Sequence, residues 1–112
     1  MNHMNSEMQA CIEACESCHA SCLSHAATHC LEMGGKHVEP THFRLMLDCA
    51  EICQTAANFM LRGSAHHAHV CAECAEICES CAKSCEQIGD MDDCVQACRK
   101  CAASCHAMAK MA

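Results

Sequence analysis

Small apolar residues recur at steps of three and four along most of the chain, with charged and polar residues between them. The stretch 71–85, CAECAEICESCAKSC, shows this most clearly, because a cysteine stands at every step. At roughly 100° per residue, such steps place the five side chains on one stripe of a helix. Leucine, isoleucine and valine normally occupy that stripe and face a core. The pattern therefore predicts a helix whose inward face is made of thiols.

The same periodicity divides the chain into four predicted helices, at about 5–32, 40–62, 65–88 and 91–111. A glycine follows each of the first three, as is common at helix ends, and Pro40 suits the first turn of the second. The links between the later helices are very short, which forces antiparallel neighbours. The predicted fold class is all-α, an antiparallel up-down four-helix bundle with a cysteine-lined core.

An internal repeat supports this architecture. The unit C-x3-C-x2-C-x3-C occurs at 11–22, 74–85 and 94–105. Repetition of one supersecondary unit is typical of duplicated helical hairpins. The second helix keeps the same frame with two substitutions, and all of its residue types bind soft metals. In that helix the frame is occupied by His42, Met46, Cys49 and Cys53.

Composition limits the function classes. The 112 residues suit a single domain, 1–112. Only 14 residues are Leu, Ile, Val or Phe, whereas 16 are cysteine, so without a ligand the core is expected to be thin. The net charge of −7 and the lack of a Lys/Arg cluster argue against nucleic acid as a partner. No apolar run has the length of a membrane span, which argues against a membrane partner.

The amino-terminal stretch MNHMNSEMQAC has no basic region, apolar region or twin arginine of an export signal. A cytoplasmic location is therefore expected, where thiols stay reduced. A disulfide scaffold is the alternative explanation of 16 cysteines. It suits secreted, loop-rich chains, and the predicted helices do not fit that class.

The C-x3-C spacing indicates the chemistry. Cβ atoms at i and i+4 lie about 5–6 Å apart on a helix, so two thiolates can hold one ion between them. This geometry suits Cu(I), which favours thiolate and thioether ligands, and predicts on the order of one ion per thiolate. The seven pairs are 11/15, 18/22, 49/53, 74/78, 81/85, 94/98 and 101/105.

Charge separates copper from the competing metals. One monovalent ion per thiolate leaves a buried core near neutrality, whereas a four-cysteine zinc site leaves about two negative charges on each zinc. Zinc ligands also usually come from turns, and an iron–sulfur site needs cysteines around a loop. A thiol-redox enzyme would need an activated C-x-x-C beside a βαβ pattern, and no strand pattern is present. A metallothionein-like zinc sink and a thiol/disulfide redox buffer remain as alternatives.

Histidine and methionine extend some of the stripes. Cys30 lies about 100° off the first stripe and is as readily structural as a ligand. Met8, Met60, Met91 and Met108 at the stripe ends are equally suited to packing and to binding, and His67 is also on a stripe. His3, His37, His66 and His69 are expected to be solvated. The candidate metal ligands are Cys11, Cys15, Cys18, Cys22, Cys49, Cys53, Cys71, Cys74, Cys78, Cys81, Cys85, Cys94, Cys98, Cys101, Cys105, Met46, His42, His25 and His29.

The two ends of the predicted bundle differ. His25, His29 and His42 gather near the end that carries the first interhelical loop, where imidazoles that tolerate water suit a mouth for copper. The opposite end is expected to hold an apolar plug. Its residues are Met8, Met60, Met108, Phe59 and Val70.

With C-x3-C pairs in all four helices, the whole chain resembles the bacterial copper storage proteins, which are cysteine-rich four-helix bundles. The resemblance implies a core filled with several Cu(I) ions, no catalysis, and commonly a homotetramer. Copper ions are the expected cargo, with a copper chaperone or low-molecular-weight thiol as the expected donor or acceptor. The lack of a leader resembles the cytosolic branch of the family. Exported members have methionines at the bundle mouth, where this chain has His42 ahead of Met46.

Overall fold

The computed structural model describes residues 5–110, which form four long helices. The first, α1 (Ser6–His25), continues through a π-helical turn, Ala26–Cys30, and a last α-helical turn, Leu31–Met33. The others are α2 (Pro40–Leu61), α3 (His67–Ile88) and α4 (Asp92–Lys110), and a 3₁₀ turn, Gly35–Val38, precedes α2. The predicted helices are confirmed to within two residues over this range, and residue 111 lies outside it.

Local signals account for the helix ends. The side chain of Asn5 accepts a hydrogen bond of 2.7 Å from the backbone N–H of Met8 and so caps α1. Pro40 occupies the first position of α2, and the carboxylate of Glu39 accepts the next free backbone N–H groups. The extended first helix ends at Gly34, whose φ of 66° is a conformation that favours glycine.

The helices pack as a square, up-down bundle. α1 and α3 each lie against α2 and α4, and the bundle measures 48 × 21 × 19 Å. One end, here called the top, carries the α1–α2 loop and the α3–α4 link. The other, here called the base, carries the α2–α3 link, the start of α1 and the end of α4. No helix within residues 5–110 is long and apolar enough to cross a lipid bilayer.

Cysteine, alanine and methionine fill the core. All 16 cysteines are buried with no exposed surface, in agreement with the predicted cysteine-lined interior. Small alanine side chains stand beside the cysteine stripes and let the helix backbones approach closely. The buried alanines are Ala14, Ala26, Ala50, Ala56, Ala57, Ala75, Ala82 and Ala102.

Candidate metal centre

The sulfur atoms form a column along the bundle axis. Neighbouring Sγ atoms from different helices lie in direct contact; the distance from Cys53 to Cys78, for example, is 3.5 Å. A metal ion at any point of this column would therefore meet thiols from several helices. Contacts of 3.5–3.8 Å connect, in order, Cys11, Cys105, Cys15, Cys101, Cys53, Cys78, Cys49, Cys18, Cys98 and Cys22.

The C-x3-C pairs add contacts along each helix. In four of the seven pairs the two Sγ atoms are 3.9–4.0 Å apart, slightly farther than the cross-helix neighbours. Sequence periodicity predicts only these pairs within one helix, whereas the 3.5–3.8 Å contacts between helices arise when the helices pack together. The four pairs are Cys18/Cys22, Cys74/Cys78, Cys81/Cys85 and Cys101/Cys105.

Several groups of sulfurs are compact enough to hold an ion. Five groups of three or four cysteines have all their Sγ atoms within 4.8 Å of one another, and most groups share members. At most two of the four-cysteine groups can be filled at the same time without sharing a sulfur, and each group matches the ligand set of a tetrahedral zinc site. One such combination is Cys18/Cys22/Cys49/Cys98 with Cys53/Cys74/Cys78/Cys101.

Protons compete with metal ions for the thiols of the column. Hydrogen bonds with Cys101 and other thiols, together with burial, raise the pKa of Cys15 and of Cys53 far above the usual range. Hydrogen bonds from Cys81 and Cys94 lower the pKa of Cys85, near the top, to about 4. Because the thiolate is the metal ligand, loading most of the column must release protons.

A thioether closes the column at its top. The Sδ atom of Met46 lies 3.3 Å from Sγ of Cys85 and 3.7 Å from Sγ of Cys81. Nearby, Nδ1 of His42 is hydrogen-bonded to the hydroxyl of Ser84 at 2.7 Å. Its Nε2 atom is buried and has no hydrogen-bond partner among residues 5–110. An imidazole held through one nitrogen, with the other left free, is the usual arrangement of a histidine ligand.

The π-helical turn corrects the predicted end of the first stripe. A regular helix would keep His25 and His29 on the stripe and Cys30 off it, but a π turn uses one more residue per turn. In the structure Ala26 and Cys30 are fully buried, and the two histidines are half-buried. Burial and the nearby charge of Cys85 raise the pKa of Cys30. Cys30 therefore joins the interior, which the sequence pattern left undecided.

His25, the last residue of α1, and His29, in the π turn, lie side by side at the top of the bundle. Nδ1 of His25 lies 2.9 Å from the backbone carbonyl of Ser21 in the same helix. The rings of His25 and His29 have centroids 6.1 Å apart. Nε2 of His29 is buried and makes no hydrogen bond within the described chain. Both residues thus retain a nitrogen that can bind an ion.

His37 is the functional candidate that the sequence analysis missed. It was expected to be solvated, yet only 4% of its surface is exposed. The turn after Gly34 and Gly35 folds it inward, where its ring packs edge-on against His29 and its Nδ1 atom lacks a partner in residues 5–110. The paired glycines were the only sequence signal, since they permit the positive φ angles of this turn.

The base is packed differently. Met60 and Met108 are buried there, while Met8, Phe59 and Val70 are partly buried. The five residues predicted to form an apolar plug are thus buried or partly buried. Histidines also lie at this end, in and beside the first turn of α3. His66 and His69 are exposed as expected, whereas His67 is half-buried.

Comparison with solved structures gives close matches over nearly the whole chain. The Nmul_A1745 protein from Nitrosospira multiformis has a TM-score of 0.95 and 57% identity, covering 97% of this chain and 100% of that one. Cu(I)-bound copper storage protein BsCsp3 has a TM-score of 0.86 and 37% identity, with 93% and 99% covered. Apo copper storage protein 3 from Bacillus subtilis has a TM-score of 0.75 and 38% identity, with 90% and 97% covered.

Sequence comparison agrees. The cysteine-rich protein YhjQ of Bacillus subtilis (strain 168) is 39% identical over 71 residues, and the match spans 63% of this chain and 65% of that relative. The profile of the copper storage protein family matches residues 4–110. The resemblance inferred from the C-x3-C repeats is thereby confirmed, and the chain belongs to the copper storage protein family.

Proposed function

We propose that this protein stores Cu(I) as cargo, with many ions held along its sulfur column. The observation that carries this proposal is the continuity of the column, in which ten sulfurs follow one another at 3.5–3.8 Å. Each C-x3-C pair holds an ion along its helix, and the cross-helix contacts let a thiolate bridge two ions. Soft thiolate and thioether ligands with low coordination number suit Cu(I).

Electrostatics favours Cu(I) over zinc in this interior. Each thiolate contributes one negative charge, and one Cu(I) ion neutralises it. Zinc bound to two separate four-cysteine groups would leave about two negative charges per site inside a narrow bundle. Buried uncompensated charge is costly. Two four-cysteine zinc sites would also use only eight of the chain's 16 cysteines. The number of ions bound per chain should therefore be several-fold larger for Cu(I) than for zinc.

The ligand set extends from the cysteines to the top of the bundle. The fifteen cysteines predicted from the stripes bind copper together with Met46, and Cys30 is added because it reaches the interior. His25, His29 and His42 receive ions at the top and pass them to the thiolates. Imidazole binds Cu(I) and tolerates water, so this end serves as the mouth.

The proposed role has no catalytic step. The protein acts in the cytoplasm as a single domain, and it assembles as a homotetramer, as the family resemblance implies. A copper chaperone or a low-molecular-weight thiol delivers or removes the ions at the mouth. Ligand exchange between thiols suits this transfer, because Cu(I) can move from one thiolate to the next without becoming a free ion.

Metal titration of the reduced protein tests the proposal. Apoprotein is titrated with Cu(I) without oxygen against a coloured Cu(I) chelator, and separately with Zn(II). We expect on the order of one Cu(I) per thiolate, complete displacement of zinc by copper, and zinc saturation at about two ions per chain. Protein with alkylated thiols is the control and should lose almost all capacity.

Other outcomes would identify the competing functions. Copper uptake that stopped at about two ions would contradict storage in the column and favour the zinc sink. Reversible formation of several disulfides, with little metal uptake, would favour the thiol/disulfide buffer. Metal analysis of the protein as purified from cells gives an independent check, since a storage protein should carry copper.

A further inference from the structure

At the base of the bundle, every helix has a soft donor side chain beyond its last cysteine and on the same helix face. In α1, α3 and α4 this donor is one helical turn from that cysteine, and in α2 it is two turns away. Residues three, four or seven apart lie on the same helix face, so the donors continue the cysteine stripes. We call this set the base ring; its members are Met8, Met60, His67 and Met108.

The layer of cysteines next to the base ring contains an unpaired member. Cys11, Cys71 and Cys105 have their Sγ atoms within 4.8 Å of one another and are fully buried. Cys71 is the one cysteine of the α3 stripe that belongs to no C-x3-C pair. The residue four positions before it is His67, so the two form an H-x3-C pair in the frame that the other pairs use.

His67 has a buried ring nitrogen without a hydrogen bond, which a purely structural role for the side chain does not explain. Its Nδ1 atom has no exposed surface and no hydrogen-bond partner among the described residues, although the ring is half-buried as a whole. Leaving a buried polar atom unsatisfied is destabilising. An apolar plug would avoid this cost by placing leucine or methionine at the position. A bound ion would satisfy the nitrogen.

The methionines of the base ring suit the same ion. Met60 and Met108 are fully buried, and Met8 is partly buried. Thioethers are neutral, soft ligands that select Cu(I), and imidazole also binds it. Cys71, four residues along α3 from His67, supplies a thiol that becomes a thiolate ligand when it binds the ion and releases its proton. The bound cation would compensate the negative charge that the released proton leaves on the sulfur.

We propose that the base ring is a second terminal Cu(I) site, in which His67 and Cys71 hold one ion and the buried thioethers surround it. This inference rests on the proposed function, because it assigns an additional position for the same cargo. Neutral donors predominate here, so the ion should be bound less tightly than ions within the thiolate column. Cu(I) ions would then exchange at both the top and the base of the bundle rather than at the top alone.

The test replaces His67 and compares it with its neighbours. His67→Gln is titrated with Cu(I) beside His66→Gln and His69→Gln, whose side chains are exposed in the same segment. We expect His67→Gln to bind about one ion fewer per chain, with both controls unchanged. Circular dichroism verifies that all three remain helical. Equal capacities for the three variants would overturn the proposal.

Two further measurements test the base site without relying on the number of Cu(I) ions bound. In ¹⁵N-histidine NMR spectra, the ring nitrogens of His67 should shift during loading, while those of His66 and His69 should not. The conservative pair Met60→Leu and Met108→Leu should lose the most weakly held ion to a chelator faster than wild type. Unshifted His67 signals with a fully loaded column would reject the base site and leave storage intact. Failure of wild-type protein to load beyond about two ions would instead reject storage itself.

Discussion

The imidazole ring of His37 packs edge-on against that of His29, with 5.1 Å between the ring centroids. Each ring has one buried nitrogen without a partner in the described part of the chain, and the buried Nε2 of His42 has none either. Three unpaired imidazole nitrogens are therefore available at the top of the bundle to bind an ion on its way to the thiolates.

Replacing His25, His29 and His42 together by alanine should change the rates of copper transfer. These residues lie at the proposed mouth, so loss of their nitrogens removes the first ligands that an arriving ion meets. Total capacity should fall by at most a few ions, because the thiolates remain. Stopped-flow uptake and removal by a chelator measure the rates, and His69→Ala serves as an exposed control.

Transfer rates equal to those of wild type would place the mouth elsewhere. The base would be the alternative if variants of His67 and Met60 altered the rates while the triple variant did not.

Replacing Cys74 and Cys78 together by serine should lower capacity by about two ions. Their Sγ atoms lie 3.9 Å apart in the middle of the column and also contact Cys53 and Cys101. Serine is nearly isosteric but does not bind Cu(I) as thiolate does, so the bundle should stay helical. Replacing the exposed residues Ser80 and Lys83 of the same helix by alanine provides the control. Unchanged capacity of the cysteine variant would exclude these two residues as ligands.

Copper loading should raise thermal stability markedly. The apo core is built from small cysteine and alanine side chains, so it buries little large aliphatic surface. Ions that bind only the folded bundle stabilise it according to their affinity and number. Thermal melts followed by circular dichroism compare the apo, partly loaded and fully loaded forms. Equal melting temperatures for the three forms would contradict the coupling, and a β-rich spectrum would contradict the fold.

The stability of the apoprotein should fall as the pH drops below the ordinary histidine pKa of 6.5. Burial, then the nearby His29, His42 and Lys36, lower the pKa of His37 in the folded state, although Asp90 acts in the opposite direction. The unfolded chain therefore takes up a proton at this residue before the folded chain does. Protonation then favours unfolding.

Denaturant unfolding at pH 7.5 and 5.5 measures this effect. His37→Gln should show a smaller loss of unfolding free energy between the two pH values than wild type. His69→Gln, which removes an exposed histidine, should behave as wild type. An identical loss in all three proteins would show that His37 does not titrate differently in the two states.

The cysteine stripes show how far local pattern determines this protein. The steps of three and four place Cys74, Cys78 and their counterparts on one face of each helix, because the helical repeat depends only on sequence separation. Glycines and Pro40 then set the helix ends through their own backbone preferences. Four stripes of thiols, short links and a soft-metal interior follow from these local rules.

Tertiary structure decided which side chains turn inward at the helix ends and which ones meet across neighbouring helices. A π turn rotates Cys30 into the interior, and the turn after Gly34 carries His37 onto His29. Neither follows from periodicity, because both depend on how the chain departs from a regular helix when it meets its neighbours. The 3.5 Å contact between Cys53 and Cys78 likewise exists only after α2 and α3 have packed. The sequence by itself determined which cysteines of the regular helices face inward, because the helical repeat depends only on sequence separation. Packing of the four helices determined which sulfurs and imidazoles meet, and it brought Cys30 and His37 inward as well.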